Sequence, residues 1–154
     1  MDEAQQILDL KLDEPLSCRS IWISDIHLGT RHARVSELLD FLRLVDCKYL
    51  YLVGDFIDGW ELKFRWFWRD DYNVLIQKLL RKSRKQTKVI YITGNHDEFV
   101  EHFVGMRFGS VTMAREAMHT AAQRLLGKHD FTTFRFCEFH GWFVQSLINE
   151  LHPI

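Results

Sequence analysis

Cysteine is scarce in this chain, and the scarcity is informative. Cys18, Cys47 and Cys137 are odd in number and have no metal-ligand spacing, which predicts a reduced cytoplasmic interior rather than a disulfide-held scaffold. Net charge is nearly absent too. Twenty Lys and Arg against 21 Asp and Glu leave −1, so composition gives no general reason to bind nucleic acid. No apolar run approaches membrane-spanning length. The opening Met1-Asp2-Glu3-Ala4-Gln5-Gln6 is acidic and polar, unlike a secretory signal.

What is present describes a globular protein. The 154 residues are 47% hydrophobic and 27% charged, enough to bury a core in one domain. Residues 1–17 are polar with scattered leucines and end at Pro15, which predicts a loosely docked lead-in. Ser20-Ile21-Trp22-Ile23-Ser24, Tyr49-Leu50-Tyr51-Leu52-Val53 and the run from Lys88 to Thr93 each carry an unbroken apolar stretch, mostly β-branched or aromatic. Strands apolar on both faces are the signature of a buried parallel sheet. Between the first two, Val35, Leu38, Leu39, Leu42 and Val45 recur at three- and four-residue steps, which predicts an amphipathic crossover helix over 33–45. A second crossover spans 61–86, with both crossovers right-handed. Glu98 to Val104 reads as a short helical turn, and Ser110 to Met113 as a further strand. The fold class is therefore α/β, with a parallel-strand core and crossover helices.

All three predicted strands run into polar residues. The first reaches Asp25-Ile26-His27, the second Gly54-Asp55-Phe56-Ile57-Asp58, the third Gly94-Asn95-His96-Asp97. Open α/β sheets bind ligands at the carboxyl ends of their strands. One edge would thus collect Asp25, His27, Asp55, Asp58, Asn95, His96 and Asp97, oxygen and imidazole donors that suit Mn²⁺, Mg²⁺, Fe²⁺ or Zn²⁺.

Asp25-x-His27, Gly54-Asp55-x-x-Asp58 and Gly94-Asn95-His96-Asp97, in this order after strands, resemble the first three signatures of the calcineurin-like metallophosphoesterases. Within that superfamily, Ser24–Thr30, Gly54–Trp60 and Gly94–Phe99 most resemble the UDP-2,3-diacylglucosamine hydrolase-like branch, and the likeness covers roughly residues 20–119. It implies the N-terminal half of an αββα sandwich, two divalent metal ions with Mn²⁺ preferred, and hydrolysis of a phosphoester or pyrophosphate. By resemblance Asp25, His27, Asp55 and Asn95 hold metal, with Asp55 shared. His96 donates a proton to the leaving oxygen, a task that suits an imidazole. Asp58 and Asp97 orient an imidazole or a ligand. The substrate implied is a phosphorylated or nucleotide-linked small molecule or lipid, with no nucleic acid, in the cytoplasm or at the inner face of a membrane.

The second half departs from that pattern. No Gly-His-x-His occurs. The alternating Phe134-Arg135-Phe136-Cys137-Glu138-Phe139 ends on His140-Gly141, so His140 is a fifth candidate ligand, against an ordinary edge strand and turn. An open half-sandwich would also expose an apolar sheet face and invite self-association. These departures sustain a second reading, a non-catalytic α/β remnant that binds a metal or a partner.

Three further segments carry expectations. Trp60, Phe64, Trp66, Phe67 and Trp68 either pack the second crossover on the sheet or form an aromatic wall for a lipid or a nucleoside base. Lys78, Arg81, Lys82, Arg84, Lys85 and Lys88 read as a solvated helix end, with an anionic membrane surface as the alternative. The organisation is thus 1–17 lead-in, 18–113 domain and 114–154 atypical. In that last part, residues 118–135 resemble a segment of the A-type tRNA pseudouridine synthases, which implies a helix followed by a loop. That family's catalytic Arg-Thr-Asp motif is absent, so the likeness implies none of its chemistry.

Overall fold

The computed structural model describes residues 15–125 and 128–136. Strands β1 (Leu16–Ile23), β2 (Val45–Val53) and β3 (Lys88–Ile92) pair in parallel, as the apolar runs predict. A short hairpin extends this sheet at one side. Its strand β5 (Val111–Ala114) runs parallel to β3 and its strand β4 (Arg107–Phe108) antiparallel at the edge, giving the order β1-β2-β3-β5-β4.

Period-two alternation divides the strand residues between two faces. Ile21, Ile23, Leu50, Leu52, Val89 and Tyr91 join the larger core cluster under the helices. Helix α1 (Val35–Leu44) adds Val35, Leu38, Leu39, Phe41 and Leu42 to it. Burial of each such side chain contributes about 1.5–3 kcal/mol. On the other face Trp22, Tyr51 and Ile92 form a second cluster, with Ala117 packed against it. Trp22 stacks on Tyr51 with ring centroids 5.6 Å apart. The face expected to be open is therefore buried at these three residues.

The second crossover differs from its prediction as one long element. It is two helices, α2 (Gly59–Phe64) and α3 (Asp70–Arg84), separated by an extended stretch. The break follows from local chemistry. Asp58 caps α2 by accepting from the Glu61 amide at 2.9 Å, and Asp70 and Asp71 sit at the positive end of α3. Between them Phe67 and Trp68 turn inward onto the core, and Trp68 meets Tyr72 edge to face at 5.3 Å. Trp60, Phe64 and Trp66 do not; Phe64 is 90% exposed and Trp66 74%. The packing expectation thus describes two of the five aromatics, and the other three present rings to solvent. In the basic run Lys82 is the exception to solvation. It is buried and donates to the Val45 carbonyl and, at 2.9 Å, to Asp46 Oδ1.

A 3₁₀ turn covers Glu98–Phe103. Beyond the main sheet, β6 (Ala117–Leu125) and β7 (Lys128–Phe136) pair antiparallel across nine residues. This corrects the helix-then-loop implied for 118–135. Cross-strand pairing overrides the helical preference of Ala121, Ala122, Gln123 and Arg124, since strand formation depends on neighbours more than on intrinsic propensity. His140 lies outside the described residues.

Candidate metal centre

The loops that leave β1 and β2 continue the sheet's pairing past its formal end. His27 N donates to the Asp55 carbonyl and Leu28 N to that of Phe56, both at 2.9 Å, and Asp58 N returns to the Leu28 carbonyl at 2.8 Å. Side chains on both loops are thereby fixed in register. The third loop is tied in by Gly54 N to the Ile92 carbonyl at 2.9 Å and by Gly59 N to the His96 carbonyl at 2.8 Å. Gly94 lies where the second and third loops touch. A Cβ there would meet Asp55 Oδ1 at 2.5 Å and Asp55 N at 2.6 Å, so only glycine allows the approach.

Within this frame the potential ligand atoms of Asp25, His27 and Asp55 fall within 4.8 Å of one another. A narrow cleft beside them is lined by Asp25, Gly54, Asp55, Thr93 and Asn95. Asp25, His27 and Asp55 all hold left-handed backbone, with φ of 54°, 52° and 51°. Such conformations cost about 1–3 kcal/mol each and persist where surrounding bonds over-determine them. Here the interloop hydrogen bonds supply that constraint.

A second group comprises His27, Asp58 and His96. Asp58 Oδ2 lies 2.9 Å from His27 Nδ1 and 3.0 Å from His96 Nδ1. Burial pushes the Asp58 carboxyl up, but the Glu61 amide and the two imidazoles outweigh it and hold it below the usual carboxylate range. An ionised carboxylate only accepts, so both Nδ1 atoms carry protons and both Nε2 atoms are left for other partners. His27 Nε2 is then directed towards Asp25, 4.0 Å from its Oδ1. His96 is further held by its amide, which donates to Asp55 Oδ1 at 2.8 Å, and by Trp60, whose ring centroid lies 4.5 Å away.

Asp97 reaches neither imidazole. It is fully buried and accepts from Gly94 N, from Phe56 N at 3.1 Å and from Tyr91 Oη at 2.6 Å. It acts on the backbone of the two loops that carry Asp55 and Asn95. Burial raises its carboxyl above the usual range against the pull of these three donors. Burial also pushes the Tyr91 phenol well up, reinforced by the Asp97 charge. Sequence reasoning missed Tyr91. The available signal was a hydroxyl-bearing ring inside an otherwise apolar central strand, which must find a partner when buried.

A parallel α/β sheet whose strand ends gather carboxylates and imidazoles defines a class of metal-centred α/β proteins. The calcineurin-like phosphoesterase profile matches residues 19–151, and the chain belongs to that family. Short stretches are also similar to curated tRNA pseudouridine synthases A. The protein of Nitrobacter winogradskyi is 56% identical over 39 residues, 25% of this chain and 15% of that protein. That of Azorhizobium caulinodans is 57% identical over 35 residues, 23% and 14% respectively. The chain thus spans about 15% of the length of the curated relatives it matches. Among solved structures, the Pseudomonas putida nuclease MPE is similar at 20% identity and a TM-score of 0.37, over 62% of this chain and 47% of that one.

Proposed function

We propose that the chain is a metal-dependent hydrolase of phosphoester or pyrophosphate bonds, of the UDP-2,3-diacylglucosamine hydrolase-like kind. The observation that carries this reading is the convergence of Asp25, His27 and Asp55 within 4.8 Å, with the far nitrogen of His27 held by Asp58. Ligating imidazoles ordinarily donate their other N–H to a carboxylate, so the donor set fits divalent metal. Asp25, His27, Asp55 and Asn95 would hold two such ions, with His140 a fifth candidate, and Mn²⁺ preferred over Fe²⁺, Zn²⁺ or Mg²⁺. When bound, the ions neutralise phosphoryl charge and lower the pKa of water.

The remaining work falls to the chain's own side chains. His96 donates from Nε2 to the leaving oxygen, while Asp58 fixes its ring through Nδ1. Asp97 keeps the loops of Asp55 and Asn95 in place through their backbone. The exposed rings of Trp60, Phe64 and Trp66 support a nucleotide-linked or lipid substrate, and would suit contact with the inner face of a membrane.

Hydrolysis of bis(p-nitrophenyl) phosphate with added Mn²⁺ tests the reading. Turnover that disappears with chelator is expected. Metal binding without turnover under Mn²⁺, Fe²⁺, Zn²⁺ or Mg²⁺ would overturn it in favour of a non-catalytic metal- or partner-binding module. That second reading is favoured by the absence of Gly-His-x-His from the sequence.

A further inference from the structure

Far from the metal centre, Cys18 of β1 and Cys47 of β2 are direct register partners. Neighbouring strands lie about 4.8 Å apart, inside the Cα separation of roughly 4.4–6.8 Å that a disulfide tolerates. Both side chains belong on the helix-covered face, where Cys47 is a buried core residue and Cys18 packs against that core. Cys18 is partly open to solvent while Cys47 is buried, and both are free thiols. One thiol of the pair can therefore meet a small reagent while the other is shielded beside it. The Cys18 thiol donates to the Asp46 carbonyl at 3.4 Å, and against that hold on the thiol proton Lys82 brings a buried cation to the same strand end.

We propose that Cys18 and Cys47 form a hydroperoxide-responsive dithiol that closes a disulfide between the first two strands. The electrostatics agree with the geometry. A hydrogen bond from Cys47, helped by the Lys82 charge, lowers the Cys18 thiol's pKa against its burial and the Asp46 charge, whereas the same contact and burial raise that of Cys47. Cys18, the thiol open to solvent, is the one that meets the peroxide, and Cys47, shielded beside it, is the resolving thiol. In the first step the Cys18 thiolate attacks a peroxide oxygen, the O–O bond breaks and hydroxide leaves, giving a sulfenic acid. In the second step the Cys47 sulfur attacks that sulfur, the S–O bond breaks, and the departing hydroxide leaves with the Cys47 proton as water. Two thiols and one hydrogen peroxide thus become one disulfide and two waters.

This inference is independent of the proposed hydrolase. Cys18 is seven residues before Asp25 along an extended strand, about 23 Å at 3.3 Å per residue. The full chain, reduced and then treated with one equivalent of hydrogen peroxide, is alkylated and digested without reductant. The expected product is a single peptide pair joining Cys18 to Cys47, with Cys137 alkylated and the chain still monomeric on a non-reducing gel. Dithiothreitol added before alkylation should restore the Cys18 and Cys47 thiols. In Cys47→Ser, the Cys18 sulfenic acid should persist and be captured by dimedone. Oxidation of Cys18 with Cys47 left alkylatable, or linkage of either to Cys137 or to a second chain, would overturn the proposal. Because the wild-type map is decisive alone, misfolding of the variant does not shield it.

Discussion

Asp58 Oδ2 lies 3.0 Å from Nδ1 of His96, and the same oxygen lies 2.9 Å from Nδ1 of His27. One buried carboxylate therefore sets the orientation of two imidazoles with different assigned tasks. Asp58→Asn should lower activity or metal affinity by roughly 10- to 100-fold, the usual worth of such a supporting partner. Kinetics alongside metal titration would measure it, and a change below twofold in both would remove Asp58 from this role.

His96 separates chemistry from scaffolding. His96→Ala should leave metal content nearly unchanged and cut turnover by about two to four orders of magnitude on a phosphodiester with a poor leaving group. With a nitrophenolate leaving group the loss should shrink, because little protonation is needed. Equal losses on both substrates would mean that His96 does not act as the acid.

Asp55 touches both halves of the site. It is grouped with Asp25 and His27 and accepts from the His96 amide. Asp55→Asn should therefore reduce bound metal, measured by elemental analysis after gentle purification, far more than Asp70→Asn at the start of α3. Equal retention in the two variants would contradict its assignment as the shared ligand.

Tyr91 and Asp97 form the buried clamp beneath the loops. Tyr91→Phe removes one charge-assisted hydrogen bond and should cost about 1.5–3 kcal/mol in urea unfolding. Asp97→Asn should cost at least as much, since an amide nitrogen replaces an acceptor in front of buried N–H groups. A loss under 0.5 kcal/mol in both would show that the clamp contributes little.

The lowered Asp58 carboxyl makes a signed pH prediction for metal-free protein. A carboxyl whose folded pKa is below its unfolded value of about 3.9 stabilises the fold fully above that value. The contribution is lost as pH falls through the lower, folded value. The stability gap between wild type and Asp58→Asn should then narrow as pH falls below about 5. A gap that widened on acidification would reverse the sign.

Gln86 ends α3 in left-handed backbone, at φ 76°, while Thr87 N bonds back to the Lys82 carbonyl at 3.2 Å. Glycine adopts this conformation without the Cβ penalty of about 1 kcal/mol. Gln86→Gly should raise Tm by about 2–4 °C, read by calorimetry. A lower Tm would indicate that the glutamine side chain contributes more than the backbone strain costs.

Sequence alone determined the elements whose signal is local. The apolar runs ending in Asp25, Asp55 and Asn95 identified three parallel strands, because a strand buried on both faces has no polar residues to spare. The spacing from Val35 to Leu42 identified α1 for the same kind of reason. The polar residues that follow each strand marked the candidate centre through their position after it. Only the tertiary structure decided how those residues divide their work. Asp58 and Asp97 look alike in sequence, each an aspartate a few residues past the end of a strand. Yet one spans two imidazoles and the other holds loop backbone and a tyrosine. The contacts of Asp58 with the two imidazoles and of Asp97 with the Phe56 amide span 31 to 41 residues, which no local period encodes. The same limit explains the β6–β7 hairpin, where pairing with a neighbouring strand prevailed over the helical preference of the segment itself.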